Sequence, residues 1–307
     1  MSLRALRVPL QLAVTAVLLV ILWRLSGGQS LVSRLTGADP AWVVAGLLCA
    51  TLAMGFAALR WRYTAQRIGA GMSVERALRE FYLAAFLNQI LPGGVSGDAV
   101  RAWRHGKRAA AHERAGVGPA VRAVIIERVA NQMVMSLCML GSLSLWPWMP
   151  GAFAAVGIWV PLVGAVVVLA GILVAIALFA RRGTGGRIER FVRDTRLALL
   201  GRRTLLAQLG LGLLVTASCV AAFYCAARAV DATLSLFHLL ALVPAALLSM
   251  TIPISIGGWG VREASTVALW SIAGLPPAGA LASSILYGVL ALLVSLPGAV
   301  VLMVDRS

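Results

Sequence analysis

Six apolar stretches, at 8–25, 40–59, 124–146, 156–180, 204–227 and 278–304, constrain this chain more than any other feature. Each supplies about the 20 residues that a helix rising 1.5 Å per residue needs to cross a hydrocarbon core roughly 30 Å thick. Lipid offers backbone amides no hydrogen bonds, so stretches of this kind must be helical. Composition agrees, with 60% hydrophobic residues, 12% charged residues and a mean hydropathy of +0.91. In 307 residues these stretches and their connections leave no room for a separate soluble catalytic domain. The expected fold is an all-α polytopic membrane protein, read as a single domain over 1–307. No small-residue cleavage site follows Leu25, so the first stretch is expected to stay as a membrane helix.

Two further apolar segments behave differently. Residues 77–91 stop at Leu91-Pro92-Gly93-Gly94, and 236–256 are interrupted at Pro253 and stop at Gly257-Gly258. Short helical pieces, about 97–108 and 260–274, follow the breaks. Backbone that leaves helical geometry at membrane depth is tolerated where protein buries it or water reaches it. The spacing therefore predicts about six full transmembrane helices plus two re-entrant hairpins, 77–108 and 236–274, around a polar cavity. With the first hairpin entering and leaving by one face, most of the 27 basic residues fall on one side, the cytosolic one by the positive-inside rule. That side includes Arg60, Arg101, Lys107, the arginines of 181–203 and both termini, whereas Arg24, Arg34, Arg228 and Trp148 lie outside. The second hairpin then enters from the opposite face, the pattern of an inverted repeat with a midplane site. Trp146, Trp148 and Trp159 are expected to form an interfacial belt.

Three constellations carry the candidate chemistry. Asn88, Pro92, Gly93, Gly94, Gly97, Asp98 and Arg101 surround the first break. Gly97 would open a half-helix whose N–H groups hold an anion, and Arg101 would grip a phosphate in bidentate fashion. Against this stands the plainer reading, in which Asp98 complements the helix N-terminus and Arg101 snorkels. Glu127, Arg128 and Asn131 lie either in a polar cavity or at the cytosolic interface. Gly257, Gly258, Gly260, Arg262 and Glu263 form the second break. Adjacent residues diverge around a helix, so Arg262 is expected to seek a partner such as Glu127 or Asp98, unless a structural salt bridge fixes the hairpin. The basic run 181–203 reads as a solvated cytosolic face drawn to anionic headgroups. His105 and His112 read as exposed loop residues, and Cys49, Cys138, Cys219 and Cys225 as packing residues without metal or disulfide spacing. No hydrolase, zinc or nucleotide motif is present, so no cofactor, metal or catalytic residue is expected.

At these residues the chain resembles the flippase-like, lysylphosphatidylglycerol synthase transmembrane-region family. The matching stretches are Asn88-Gln89-Ile90-Leu91-Pro92-Gly93-Gly94-Val95-Ser96-Gly97-Asp98-Ala99-Val100-Arg101, then Glu127-Arg128, then Ile252-Pro253-Ile254-Ser255-Ile256-Gly257-Gly258-Trp259-Gly260-Val261-Arg262-Glu263-Ala264. The resemblance implies translocation of an anionic phospholipid or polyprenyl or glycolipid headgroup across a bacterial cytoplasmic membrane. It implies membrane lipids as partners and leaves homo-oligomerisation open. The aminoacyl transferase of larger members is not expected here, so neither is lysylphosphatidylglycerol synthesis. Asn131 stands where an aspartate is expected, which weakens any proton-coupling role for a carboxylate pair. Two alternatives stay open: a membrane subunit or enzyme of lipid or cell-envelope modification, and a secondary transporter of a small anion.

Overall fold

A computed structural model describes residues 12–13, 15–18, 20–21, 24, 28–91, 95–111, 117–149, 186–251 and 255–304. Most of the first apolar stretch, the stretch 156–180, Pro92, Gly93, Gly94, His112, Trp159, Pro253 and both termini lie outside these residues. The described part is helical, without strands: α1 (Gly28–Thr36), α2 (Pro40–Arg67), α3 (Val74–Ile90), α4 (Ser96–Ala111), α5 (Val117–Leu143), α6 (Arg187–Leu199), α7 (Arg202–Ala229), α8 (Leu236–Ser249), α9 (Val261–Ile272), α10 (Pro277–Ser295) and α11 (Pro297–Val304). Four units, Pro40–Arg67, Val117–Trp148, Arg202–Ala229 and Pro277–Val304, are long and apolar enough to cross a membrane.

α2 and α7 form an antiparallel pair that frames the rest. Asp39 caps α2 by accepting from Ala41 N at 2.8 Å, while its own N–H donates to Ala229 O at 2.9 Å. At the far end Gln208 donates to Thr64 Oγ1 at 2.8 Å and Arg67 to Thr204 Oγ1 at 2.7 Å. The start of α2 thus lies beside the end of α7. Val44, Leu48 and Leu52 on α2 and Leu206, Leu213 and Leu214 on α7 stay exposed, as lipid-facing positions do.

α3 and α4 make the first hairpin. Ser73 opens α3 by accepting from Arg76 N at 3.3 Å. Glu80 binds Arg104 Nε at 2.8 Å and Arg108 Nη1 at 2.7 Å, and Asn88 accepts from Gly97 N at 2.8 Å. Gly97 lies so close to the Ala84 carbonyl that a Cβ would collide with it. Partners descend along α3 as they ascend along α4, so the chain returns to the end at which it entered. α8 and α9 make the second hairpin, whose base also closes on itself: a Cβ on Gly279 would stand 3.3 Å from Ala232 Cβ. The first hairpin springs from the end of α2 and the second from the end of α7. Because those helices are antiparallel, the hairpins enter from opposite ends. Their tips meet where a Cβ on Gly257 would lie 2.9 Å from Gln89 Oε1 and 3.2 Å from Gln89 O.

Several expectations need correction. α2 runs to Arg67, not 59, because Arg60 and Thr64 face protein rather than end the helix. α5 starts at Val117, not 124, which moves Glu127 about 15 Å along the helix from its first residue. The second break begins after Ser249, ahead of Pro253, and Pro244 sits inside α8. The last apolar stretch changes helix at Leu296-Pro297. Trp146 belongs to no belt: it is buried and donates Nε1–H to Ala241 O at 2.9 Å, whereas Trp148 is exposed. His105 is buried too, its Nε2 2.8 Å from Ala70 O and its ring edge-on to Trp61.

Candidate functional site

Beside the junction of the tips, three helices bring five charged side chains into one alternating chain. Arg60 Nη2 on α2 meets Glu127 Oε1 on α5 at 2.6 Å. Arg101 Nη2 on α4 meets Glu127 Oε2 at 2.9 Å and Asp98 Oδ1 at 2.8 Å. Arg128, next to Glu127 on α5, closes the series on Asp98 Oδ2. The order is Arg60, Glu127, Arg101, Asp98, Arg128, three cations to two carboxylates. Such charges are costly in a membrane unless paired, and pairing here leaves one positive charge over.

The two ends of the series differ. At Arg60 it is sealed, with no exposure, beneath Gly212, where a Cβ would stand 3.2 Å from Arg60 Nη1. Arg101 is sealed as well, its guanidinium carbon 4.7 Å from the Trp61 ring centroid and 4.8 Å from that of Phe81. Arg128 keeps 46% of its side chain exposed. The surplus charge is therefore accessible only there. Donors also outnumber acceptors: Nε and Nη1 of both Arg60 and Arg101 are buried without hydrogen-bond partners.

The expected anion-binding start of α4 is already occupied. Asn88 accepts from Gly97 N and donates to Asp98 Oδ2 at 3.2 Å, tying the first break to the charged series. Arg101, expected to reach a phosphate, is held by two carboxylates. Asn131 is half-buried one turn beyond Glu127. Pro92, Gly93 and Gly94 lie outside the described residues.

The second break is built from its own residues. Gly257, Gly258 and Gly260 have φ of +57°, +81° and +87°, backbone that other residues adopt with strain. Gly260 N donates to Glu263 Oε2 at 2.6 Å, which closes the first turn of α9. Contrary to the expectation of divergence, Arg262 bonds its neighbour Glu263 and not Glu127 or Asp98. Two long side chains about 100° apart can bend toward one another, and Ser284 Oγ, 3.1 Å from Arg262 Nε, draws them together. Trp259 and Tyr287 flank the guanidinium, and Gly288 leaves the room it occupies. Both charges are buried. The pair is neutral and satisfied, which is the structural salt bridge of the plainer reading.

Arg60 is the site residue that sequence reasoning missed. Its place just beyond the apolar stretch reads as cytosolic, whereas the helix continues to Arg67 and buries it. The available signal was spacing: Arg60, Thr64 and Arg67 recur at four and three residues, one polar stripe of a continuing helix. Among the described residues, no group of three or more His, Cys, Asp or Glu side chains is placed to hold a metal ion.

Four long apolar helices and two opposed broken hairpins beside a largely buried charged series define a polytopic all-α membrane protein. Over residues 8–298 the chain matches the family described as the lysylphosphatidylglycerol synthase TM region. It belongs to that family, which places it among membrane proteins of lipid-related processes. No curated protein matches the chain.

Proposed function

We propose that this protein is a lipid translocase that receives an anionic headgroup at Arg128 and passes it between the two hairpin tips while the chains stay in the bilayer. The observation that carries this reading is the odd count of the charged series, whose unmatched positive charge emerges only at half-exposed Arg128. A phosphodiester supplies the missing anion and can take both outer guanidinium nitrogens. Gly257 and Gly258 let the second tip pack directly on Gln89 of the first tip and on Met250. No covalent step and no nucleotide enter this scheme. The family match supports a lipid over a soluble anion as the cargo.

The test is the accessibility of fluorescent phosphatidylglycerol to a membrane-impermeant quencher in proteoliposomes. Arg128→Gln is expected to slow exchange between leaflets by about tenfold, the loss of roughly one charge-assisted contact. Exchange at the unaltered rate in that variant, with protein inserted and folded, would remove the anion site from the scheme.

A further inference from the structure

Within the basic run 181–203, α6 is a helix pinned to the end of the bundle by one side and exposed along the other. Its inner side carries Asp194 and Ala198, both buried; Asp194 Oδ2 accepts from Arg122 Nε on α5 at 2.7 Å, and Ala198 O accepts from Gln208 Nε2 on α7 at 3.2 Å. Those contacts hold α6 across the ends of α5 and α7, where α7 begins with Arg202 and Arg203. The outward side has an order of its own. Arg190, Arg193, Leu197 and Leu200 follow the spacing i, i+3, i+7, i+10, one exposed stripe that flanks the pinned side and runs past the end of the helix at Leu199. Arg193 lies 3.5 Å from Asp194 Oδ1 yet keeps 67% of its side chain exposed, and Leu197 and Leu200 are exposed as well.

We propose that this stripe is a docking surface for anionic phospholipid headgroups of the leaflet into which α7 descends. Continuity argues for a bilayer: the leucine end of the stripe leads through Gly201 into the exposed Leu205 and Leu206 of a membrane-crossing helix. Charge argues for an anionic one, because the other end of the stripe is basic and Glu189 is the one exposed acid on α6. An apolar half beside the span and an arginine half beyond it fit a helix lying in the interface, with leucines at acyl depth and guanidinium groups among phosphates. The pinning bond lies on α5 five residues before Glu127, so the leaflet that holds α6 also braces the helix bearing the charged series. A protein partner with an acidic surface would use the arginines but would leave the leucines against the bilayer without purpose.

Hydrogen exchange of the 187–200 segment tests this in nanodiscs of phosphatidylcholine with and without phosphatidylglycerol. Exchange is expected to slow about tenfold when the anionic lipid is added, and the effect should shrink in high salt. Arg190→Gln with Arg193→Gln should abolish the lipid dependence while leaving the melting temperature in detergent unchanged. Leu197→Ser with Leu200→Ser should raise exchange in both lipid mixtures. Equal exchange in the two mixtures, or a lipid dependence that survives loss of both arginines, overturns the proposal. So does protection that requires an added acidic protein and ignores the lipid.

Discussion

Replacing Asp98 by asparagine should strengthen binding of an anionic lipid even as it weakens the fold. Asp98 sits one step from the open end of the charged series and holds the side chain offered to a headgroup. In that position it competes with the phosphate. Asparagine keeps the size and can keep the bond to Asn88, but it removes the competing charge. Unit charges 4 Å apart interact by about 4 kcal/mol at an effective dielectric of 20 and about 1 kcal/mol in water. Arg128 is 46% exposed, so solvent screening favours the lower figure. About 1 kcal/mol corresponds to roughly a fivefold tighter Kd for phosphatidylglycerol. The folding term has the opposite sign. Asp98 is nearly buried and accepts from Arg101 at 2.8 Å, and losing a charged hydrogen bond there costs about 1–3 kcal/mol. A lower melting temperature with a tighter Kd is thus the expected pair of results. The assay is titration of phosphatidylglycerol, with phosphatidylcholine as reference, into purified protein followed by native mass spectrometry, beside thermal melting of the same samples. Weaker binding in the Asp98→Asn variant would refute the competition, because it would make the carboxylate part of the headgroup site.

Glu127→Ala should be more damaging to folding than any other single change at the site: it leaves Arg60 and Arg101 buried without their shared carboxylate, at about 3–5 kcal/mol, visible as lost folded yield and a depressed melting temperature. A variant that melts like the unaltered protein would show that the series does not stabilise the bundle. Gly258→Ala forces a side chain onto φ of +81° and against Met250, costing about 1–2 kcal/mol and impairing lipid binding, whereas Gly141→Ala and Gly210→Ala meet nothing within 4 Å and should change neither. Equal tolerance in melting and lipid-binding curves would show that the second break is not part of a site.

The hairpins were legible because helix breakers act locally. Proline and glycine punctuate helices locally, so the break near 91 could be placed from a few residues, whereas the second opens earlier than 257, after Ser249. Opposed orientation follows from arginine placement together with the order of the spans, and the contacts between α2 and α7 express the same opposition in structure. Helix ends were less legible wherever a charge was taken as the edge of the membrane. Arg60 does not mark an edge, because Glu127, 67 residues away, neutralises it inside the bundle. α6 lay hidden in a run of arginines for the same reason: what makes it a packed helix is Asp194, whose partner Arg122 is 72 residues distant. Long-range pairing of this kind leaves at most a polar stripe such as Arg60, Thr64 and Arg67, which does not name the partner.

The two breaks carry similar residues and reach opposite outcomes, and counting charges explains why. At the second break one arginine and one glutamate stand side by side, so the hairpin satisfies itself and buries both. At the first break Asp98 and Arg101 could have done likewise, and their bond at 2.8 Å shows that they begin to. Arg128 adds a cation on a neighbouring helix, Glu127 adds a carboxylate, and Arg60 adds another cation, which leaves the sum odd. An odd series in a low-dielectric bundle must either expose one end or recruit an ion, since the cost of sealing an unmatched charge is several kcal/mol. Here the sealed end is Arg60 and the exposed end Arg128, beside the point where two half-helices meet. The asymmetry between the hairpins thus separates scaffold from exposed charge: the self-satisfied tip packs through its glycines on Gln89 and Met250, and the unbalanced tip supplies the charge that a phosphate would complete.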